Sequence, residues 1–575
     1  YSPSQYPVTG ILTPTSGDET ASIGQLLSDM KEFIPDNSPI RESNISIVGN
    51  GLYITHDKPF TVTTSEGDLM NILANTEEQL ENPYVVVNNV SRLPIECKNG
   101  MIAKVANAFS DDDDYWVQFK SNYGDVNDDS DDAAGSGYWE EVAEPGGKVK
   151  LNSSSMPHAI IYSRKDGEVV FVVSPIKWKN RTCGDEDFNP SFHESPITNI
   201  KFYRNRLVFL SDENVVMSRA GDLFNFFPSS AIGVSADDPI DLSVSTNYSS
   251  VLQDGIVINS GLVLFSKYQQ FLFNTTNDVL SPATAKVSEI SRYEFDTKSR
   301  PFGLGTNVGF VGPSTPSSDF FELTNVFNEG PVDVIERSKI VSKSLPNEIY
   351  FIADSKETGI VFFGSYVSKE VWGYRYFNAS NQKQLQSAWF RWELPAPIVT
   401  HFIIDGDYYA VVYHEEELQS RYIKLQLDSL PTDGPFEDYW YRDDETNPEL
   451  EQSYTTKLEF PTVNVLKSEL SSYRADTTAS LIVHRMNFNF ADIGTYEFLI
   501  KRDGLDDYKV LYESRYMDAY KAGEDPLVTE VERAVPVYTR NTSLNVSLET
   551  DYKHPMVLRS MRWEGDYNQR YYKRV

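Results

Sequence analysis

The chain has 575 residues, more than one hydrophobic core usually serves, so two to four domains are expected. Its 84 acidic residues against 51 Lys and Arg give a net charge of −33, the opposite of the balance with which proteins grip nucleic acid phosphates. No apolar run approaches the roughly 18 residues of a membrane-spanning helix, and 13% aromatic residues favour strands over helices.

Residues 1–150 are predicted to form an acidic α+β segment. Residue 1 is Tyr rather than Met, and we expect a truncated or processed N-terminus. A helix is predicted where apolar residues recur at helical spacing after capping candidates at 18–20. The members of that helical stripe are Ile23, Leu26, Leu27, Met30 and Phe33. A hairpin turning at Gly49-Asn50-Gly51 follows, and then strands near 84–89, 101–109 and 114–122.

Two acidic runs, Asp111–Asp114 and Asp125–Gly137, interrupt these strands and predict solvated loops. Residues 1–150 hold 25 acidic and 9 basic residues, a net charge of −16. A calcium loop is disfavoured, because the runs lack alternating ligands with a central Gly and a final Glu. Solubility or adaptation to salt explains the charge simply, and a surface that repels DNA is the sharper hypothesis.

From about residue 155 the pattern changes to repeated strand–turn–strand units, at intervals of roughly 40 to 60 residues. The units cover 159–173, 199–219, 255–274, 300–312, 347–377 and 400–428. Such repetition is typical of β-propeller blades, which must stack to bury their faces. A large β-sandwich is the alternative. Phe224, Phe226 and Phe227 are predicted to pack one blade against the next.

Residues 451–575 are predicted to form a separate β domain with strands at 478–502, 543–549 and 556–565. The end is basic, with Arg570, Lys573 and Arg574, and is either an anchoring tail or a frayed terminus.

A search for catalytic motifs finds neither a nucleophile elbow, a phosphate-binding loop nor a zinc-binding His pair. His158 is expected to be a packed or turn histidine. A carboxylate pair of the glycosidase type could come from Asp237, Asp238 and Asp241, although so acidic a chain contains such pairs by chance. The sequence therefore predicts no catalytic, metal-binding or cofactor-binding residue and no cofactor.

The two cysteines, Cys97 and Cys183, stand in no metal-ligand spacing. We expect two buried or incidental thiols, with a single disulfide as the alternative.

Several stretches resemble the tail tubular protein B, or nozzle, family of short-tailed podophages of the autographivirus type. They cover 156–167, 183–192, 202–247, 300–310 and 563–570, and 52–73 resembles that family's inserted domain. The resemblance is strongest at 155–310 and weakest at 311–450, and the family begins upstream of residue 1. Within the strongest part, Arg204 and Arg206 are expected to pair with carboxylates, for which 236–241 is the candidate by proximity.

The resemblance implies a mainly β, multi-domain virion protein. Residues 1–150 would be the inserted α+β domain, 151–450 an irregular β-propeller body, and 451–575 a β-sandwich-like docking platform. Six copies would form the distal tail tube, retaining and then conducting the DNA genome without sequence-specific binding. The implied partners are the dodecameric adaptor (tail tubular protein A), tail fibres and the host outer envelope.

Some acidic loops could then line the channel. Two other functions stay open: a glycan-binding or glycan-degrading β-propeller surface protein, and a secreted adhesion module. The adhesion module is the less favoured of the two, because the sequence shows neither a signal peptide nor a disulfide framework.

Overall fold

A computed structural model gives the architecture. It describes 23–32, 40–54, 84–106, 114–122, 134–165, 168–185, 188–244, 250–275, 279–324, 326, 332–341, 344–378, 384–415, 419–427, 440–441, 456–464, 466–469, 472–475, 480–490, 496–504, 506–512, 531–550 and 557–568. The chain divides into two compact units, Tyr1–Tyr350 and Phe351–Val575.

The first unit contains one α-helix and 21 strands among its described residues. These elements are α1 (Ile23–Glu32), β1 (Ile45–Val48), β2 (Gly51–Ile54), β3 (Val85–Val87), β4 (Glu96–Lys98), β5 (Ile102–Val105), β6 (Tyr115–Ser121), β7 (Ala134–Val142), β8 (His158–Lys165), β9 (Glu168–Pro175), β10 (Ile197–Tyr203), β11 (Arg206–Ser211), β12 (Asn214–Met217), β13 (Ile240–Ser243), β14 (Leu252–Ile258), β15 (Gly261–Ser266), β16 (Gln270–Thr275), β17 (Ala285–Ser291), β18 (Phe302–Leu304), β19 (Asn307–Gly312), β20 (Asp319–Thr324) and β21 (Asp333–Glu336).

The predicted helix and the first hairpin are confirmed, with Gly49-Asn50 as the turn between β1 and β2. A five-stranded sheet of order β3-β5-β6-β7-β4 follows. The prediction of a loop through residue 137 is wrong at its end, because 134–137 begin β7: 134–136 pair with β4, and Gly137 pairs with Ser121 of β6. Glycine permits the close approach of β7 to β6, since a Cβ at Gly137 would lie 2.1 Å from the carbonyl oxygen of Lys120. The predicted capping residues and the rest of that loop lie outside the described residues.

After the separate hairpin β8–β9, the first unit contains three successive four-stranded antiparallel sheets: β10–β13, β14–β17 and β18–β21. Each sheet takes its strands in chain order, the connectivity that propeller blades share. The sequence predicted at most three strands in each. The fourth strands were missed because they are polar and largely exposed; β21 is an example.

Both faces of these sheets are covered, which explains their continuous apolar central strands. Leu262 and Leu264 of β15 pack on the preceding sheet, in a core with Val208 and Met217. Val263 and Phe265 face the opposite way, into the core shared with the following sheet.

Tight turns set the registers of these strands. Arg204 and Asn205 join β10 to β11 with positive φ angles of 44° and 59°, the type I′ conformation that hairpins favour. Gly261 pairs with Ile258 as the first residue of β15. A Cβ there would lie 2.3 Å from the carbonyl oxygen of Phe273, so glycine is needed for β15 to approach β16.

The second unit contains 17 strands among its described residues. These are β22 (Phe351–Ser355), β23 (Ile360–Gly364), β24 (Glu370–Asn378), β25 (Gln384–Glu393), β26 (Ile398–Ile404), β27 (Asp407–His414), β28 (Gln419–Gln426), β29 (Trp440–Tyr441), β30 (Thr456–Glu459), β31 (Leu466–Glu469), β32 (Ser472–Ala475), β33 (Ser480–Phe490), β34 (Tyr496–Arg502), β35 (Tyr508–Tyr512), β36 (Val531–Arg540), β37 (Leu544–Thr550) and β38 (Leu558–Asn568).

Two further four-stranded sheets in chain order, β22–β25 and β26–β29, open this unit and share a core around Phe362, Tyr408 and Val412. Two other sheets, of order β30-β37-β34-β35 and β36-β33-β38, then pack face to face over Phe488 and Phe498, with β31–β32 as a separate hairpin. The prediction of a mainly β protein with several sheets is confirmed. The propeller arrangement and the three domain boundaries stay predictions.

Candidate functional site

The strand β11 and the segment 235–241, whose last two residues begin β13, form a densely hydrogen-bonded polar site among the described residues of the first unit. Arg206 is 1% exposed, and burial lowers the pKa of its guanidinium. Nη1 donates to the carbonyl oxygens of Ser218 (2.8 Å), Asp237 (3.3 Å) and Asp238 (2.6 Å). Nη2 donates to those of Ala236 (2.9 Å) and Leu280 (3.5 Å).

The prediction that Arg206 pairs with carboxylates is therefore wrong: the side chain binds backbone carbonyls. Because β11 lies inside the sheet, its first side chain reaches the backbone of 236–238 rather than the carboxylates of these residues. The carboxylate pairing belongs to Arg219, which lies beside Asp237 and whose Nε is 4.0 Å from Asp238. The guanidinium of Arg204 lies over the Tyr203 ring, 5.8 Å from its centroid.

The three carboxylates of the segment 235–241 each accept hydrogen bonds from nearby residues. Hydrogen bonds from Ser235 and Arg219 lower the pKa of Asp237 to about 2. Asp238, which is buried, accepts from the backbone N–H and the hydroxyl of Ser229 and from the N–H of Ser235. Asp241 accepts from the N–H (2.8 Å) and the hydroxyl (2.9 Å) of Ser191. These contacts give the acids loop-ordering roles.

The phenylalanines after β12 form an aromatic cluster with the segment before β10. Phe226 stacks on Phe209, with ring centroids 4.7 Å apart, and contacts Phe192 and Trp178. The prediction that these rings pack one four-stranded sheet against the next is wrong for Phe226. It covers the face of β11–β12 opposite β14–β17, because alternate residues of β11 point to opposite faces.

Both cysteines are free and buried, as predicted. The Cys183 thiol donates to the carbonyl oxygen of Pro228 at 3.2 Å. Burial, reinforced by Glu141 and Asp238, raises its pKa to about 11. Burial also raises the pKa of Cys97.

His158 begins the hairpin β8–β9, where its Nδ1 lies 3.0 Å from the carbonyl oxygen of Met156, two residues earlier. This local contact fits a turn histidine. Among the described residues, no group of three His, Cys, Asp or Glu side chains is placed to hold a metal ion. The acidic runs at 111–113 and 125–133 and the basic end at 570–574 lie outside the described residues, whereas Asp114 is buried and pairs with Lys104 at 2.8 Å.

Two features were missed from sequence. The carboxylate of Glu141, on β7, accepts from the hydroxyl of Ser230 (2.7 Å) and the N–H of Ala231 (2.8 Å) and so ties the five-stranded sheet to the loop before 235. The second is the exposure of the hairpin β8–β9: 159–173 was predicted as one of the propeller-like units, but it forms a separate two-stranded sheet whose large apolar side chains are exposed. Both strands of this hairpin are apolar without alternation, so both of its faces carry apolar side chains. This pattern indicates exposure, because a two-stranded sheet cannot bury both faces by itself.

No helix within the described parts of the chain is long and apolar enough to cross a membrane. The family described as bacteriophage nozzle protein matches residues 15–450 and 442–574. Tail tubular protein gp12 of Escherichia phage T7 is 28% identical over 352 residues, which are 59% of this chain and 41% of that protein. The matched region is thus less than half of that relative's length.

Solved structures give only distant likenesses. Hsv2 of Kluyveromyces lactis is 9% identical with a TM-score of 0.26, over 40% of this chain and 62% of that one. Sqt1 of Saccharomyces cerevisiae is 12% identical with a TM-score of 0.26, over 58% of this chain and 80% of that one. At these scores the likeness supports no argument about fold or function.

Proposed function

Because the chain belongs to the bacteriophage nozzle protein family, we propose that it is a structural virion protein that builds the distal tail tube of a short-tailed phage. Six copies form a ring around the tail axis, and the channel retains the DNA genome before ejection and conducts it afterwards. The observation that carries the proposal is the family match across both units of the chain.

The fold supports a scaffolding role. Five four-stranded sheets in chain order suit a propeller-like body for 151–450, and the two sheets packed over Phe488 suit a docking platform for 451–575. We propose that this platform and body contact the dodecameric adaptor and the tail fibres, and that the distal end meets the host outer envelope.

The charge supports conduction without binding. The chain has a net charge of −33, and a ring repeats this charge in every copy. DNA that slides through the channel therefore meets few Lys and Arg side chains that could displace its counterions and bind its phosphates. The acidic runs at 111–113 and 125–133 are proposed to face the channel; Asp114 is excluded, because it is buried and pairs with Lys104.

We also propose that the protein has no enzymatic turnover. The acids that could have formed a glycosidase pair are engaged in ordering loops, as Asp238 shows with three hydrogen bonds. A depolymerisation assay on host surface polysaccharide tests this: release of reducing ends by the purified chain would overturn it.

Electron microscopy of particles that carry the chain tests the structural role directly. We expect a ring of six copies at the tail end around a continuous channel. A threefold spike, or single copies off the axis, would contradict the proposal.

A further inference from the structure

The hairpin β8–β9 presents an apolar face that nothing within the described parts of the chain covers. Its registers pair Ile160 with Val173, Tyr162 with Phe171, and Arg164 with Val169, so these side chains share one face. We call the five apolar members the hairpin face; they are Ile160 (71% exposed), Tyr162 (56%), Val169 (51%), Phe171 (70%) and Val173 (67%).

The hairpin face is ordered by its own contacts. The rings of Tyr162 and Phe171 meet edge to face, with centroids 5.9 Å apart. Nε of Arg164 donates to the hydroxyl of Tyr162 at 3.3 Å. β8 and β9 pair only with each other in the described structure, so their outer edges also offer backbone hydrogen-bonding groups.

The exposed apolar area is large. The five side chains together expose roughly 600 Å², most of the ~800 Å² that each partner contributes to a standard protein interface. Monomeric proteins rarely leave a patch of this size in water unless it has a function.

The hairpin face also differs in charge from the rest of the chain. Residues 158–179 hold four basic and two acidic residues, a net charge of +2 in a chain of −33. Arg164 is exposed at one end of the face, and the exposed Lys177 and Lys179 follow β9. These basic residues at the two ends of the apolar face, which we call the basic rim, are complementary to an acidic protein surface. The apolar centre disfavours nucleic acid, which proteins contact mainly through its phosphates.

We propose that the hairpin face is a subunit–subunit contact and that its occupant is a second copy of this chain. The inference rests on the proposed function, because a ring requires each copy to present one surface to a different surface of its neighbour. Another copy brings the acidic surface that the basic rim needs, at the high local concentration of an assembling ring. The apolar side chains supply the affinity, and the rim supplies the orientation.

Sedimentation velocity of the full chain, from about 1 to about 100 μM, measures this contact. The test variant is Ile160→Thr/Phe171→Thr/Val173→Thr, which removes apolar area while keeping residues that favour strands. The matched control is Ile161→Thr/Val172→Thr, a cross-strand pair on the opposite face of the same hairpin. We expect wild type and control to self-associate alike and the test variant to associate at least tenfold more weakly.

Three outcomes overturn the inference: a test variant that associates like wild type, a control that weakens association equally, or a wild-type chain that stays monomeric throughout the range. If the triple variant loses its far-ultraviolet circular dichroism signal, it does not fold and its association is not informative. The single variant Ile160→Thr then replaces it in the sedimentation experiment, with the same control. Electron microscopy separates this inference from the proposed function. If the test variant associates like wild type and still builds a tail ring in particles, the proposed function holds and only this contact is refuted. If particles with the test variant keep the ring but lose another tail protein, the hairpin face binds that protein instead of a second copy.

Discussion

The buried guanidinium of Arg206 donates hydrogen bonds to five backbone carbonyls. Three of them lie in the loop 236–238, and a fourth belongs to the residue directly after β12. We expect Arg206→Met to lower the free energy of unfolding of this region by about 3 kcal/mol or more, because several buried carbonyls would lose their donors. Thermal unfolding followed by differential scanning fluorimetry measures the change.

The matched control is Arg204→Met, two residues away at the exposed turn. It should change stability by less than about 0.5 kcal/mol, the usual range for surface positions. Equal melting temperatures for the two variants would show that the guanidinium–carbonyl contacts contribute little.

Cys183 gives a prediction about pH. Its pKa is raised from 9.0 to about 11, so the folded state holds the proton that the unfolded chain releases. Stability contributed by this thiol is therefore full below pH 9 and is lost as pH rises from about 9 to about 11. At pH 8 we expect Ellman's reagent to label Cys183 very slowly in the native chain and rapidly in urea, because only the thiolate reacts.

The comparison variant is Cys97→Ser, which leaves Cys183 as the only thiol. Rapid native labelling of this variant at pH 8 would contradict the buried, protonated state.

At the scale of elements, the close approach of β15 to β16 depends on Gly261. A Cβ there would meet a backbone oxygen of β16, which cannot move without breaking the sheet. We therefore expect Gly261→Ala to destabilise the first unit by about 2 kcal/mol or more. Gly233→Ala is the control, because a Cβ at that position meets no atom within 4 Å. Urea denaturation curves that coincide for the two variants would refute the packing argument.

The inner strands of the sheets could be predicted from the sequence, whereas the outer strands could not. Inner strands such as β11, β15 and β23 are buried on both faces. They therefore form short apolar runs, which can be recognised in the sequence. Outer strands such as β17 and β21 are half exposed and polar, so nothing distinguishes them from loops. Their places are fixed by pairing with a neighbouring strand, which sequence patterns do not record.

Side-chain partners were harder to predict than strands. Proximity in sequence pointed to the carboxylates of 236–241 for Arg206, but the sheet directs this side chain to backbone carbonyls instead. The clamp from Glu141 to Ser230 spans 89 residues, and no local pattern could have signalled it.

At the scale of the whole molecule, the charge of −33 predicts that the purified chain does not retain duplex DNA at physiological salt. Proteins gain affinity for DNA when Lys and Arg displace the counterions condensed on its phosphates into solution, and Lys and Arg are outnumbered by acidic residues here. Filter binding at several salt concentrations measures this. Tight retention that weakens steeply with added salt would contradict a channel that conducts DNA without gripping it.

The central claim is that copies of this chain close a ring at the tail end. The most direct measurement is electron microscopy of intact particles, with tail ends classified by rotational symmetry. We expect a sixfold ring around a continuous channel, with density that fits the successive four-stranded sheets. A threefold spike, or copies lying off the tail axis, would contradict it.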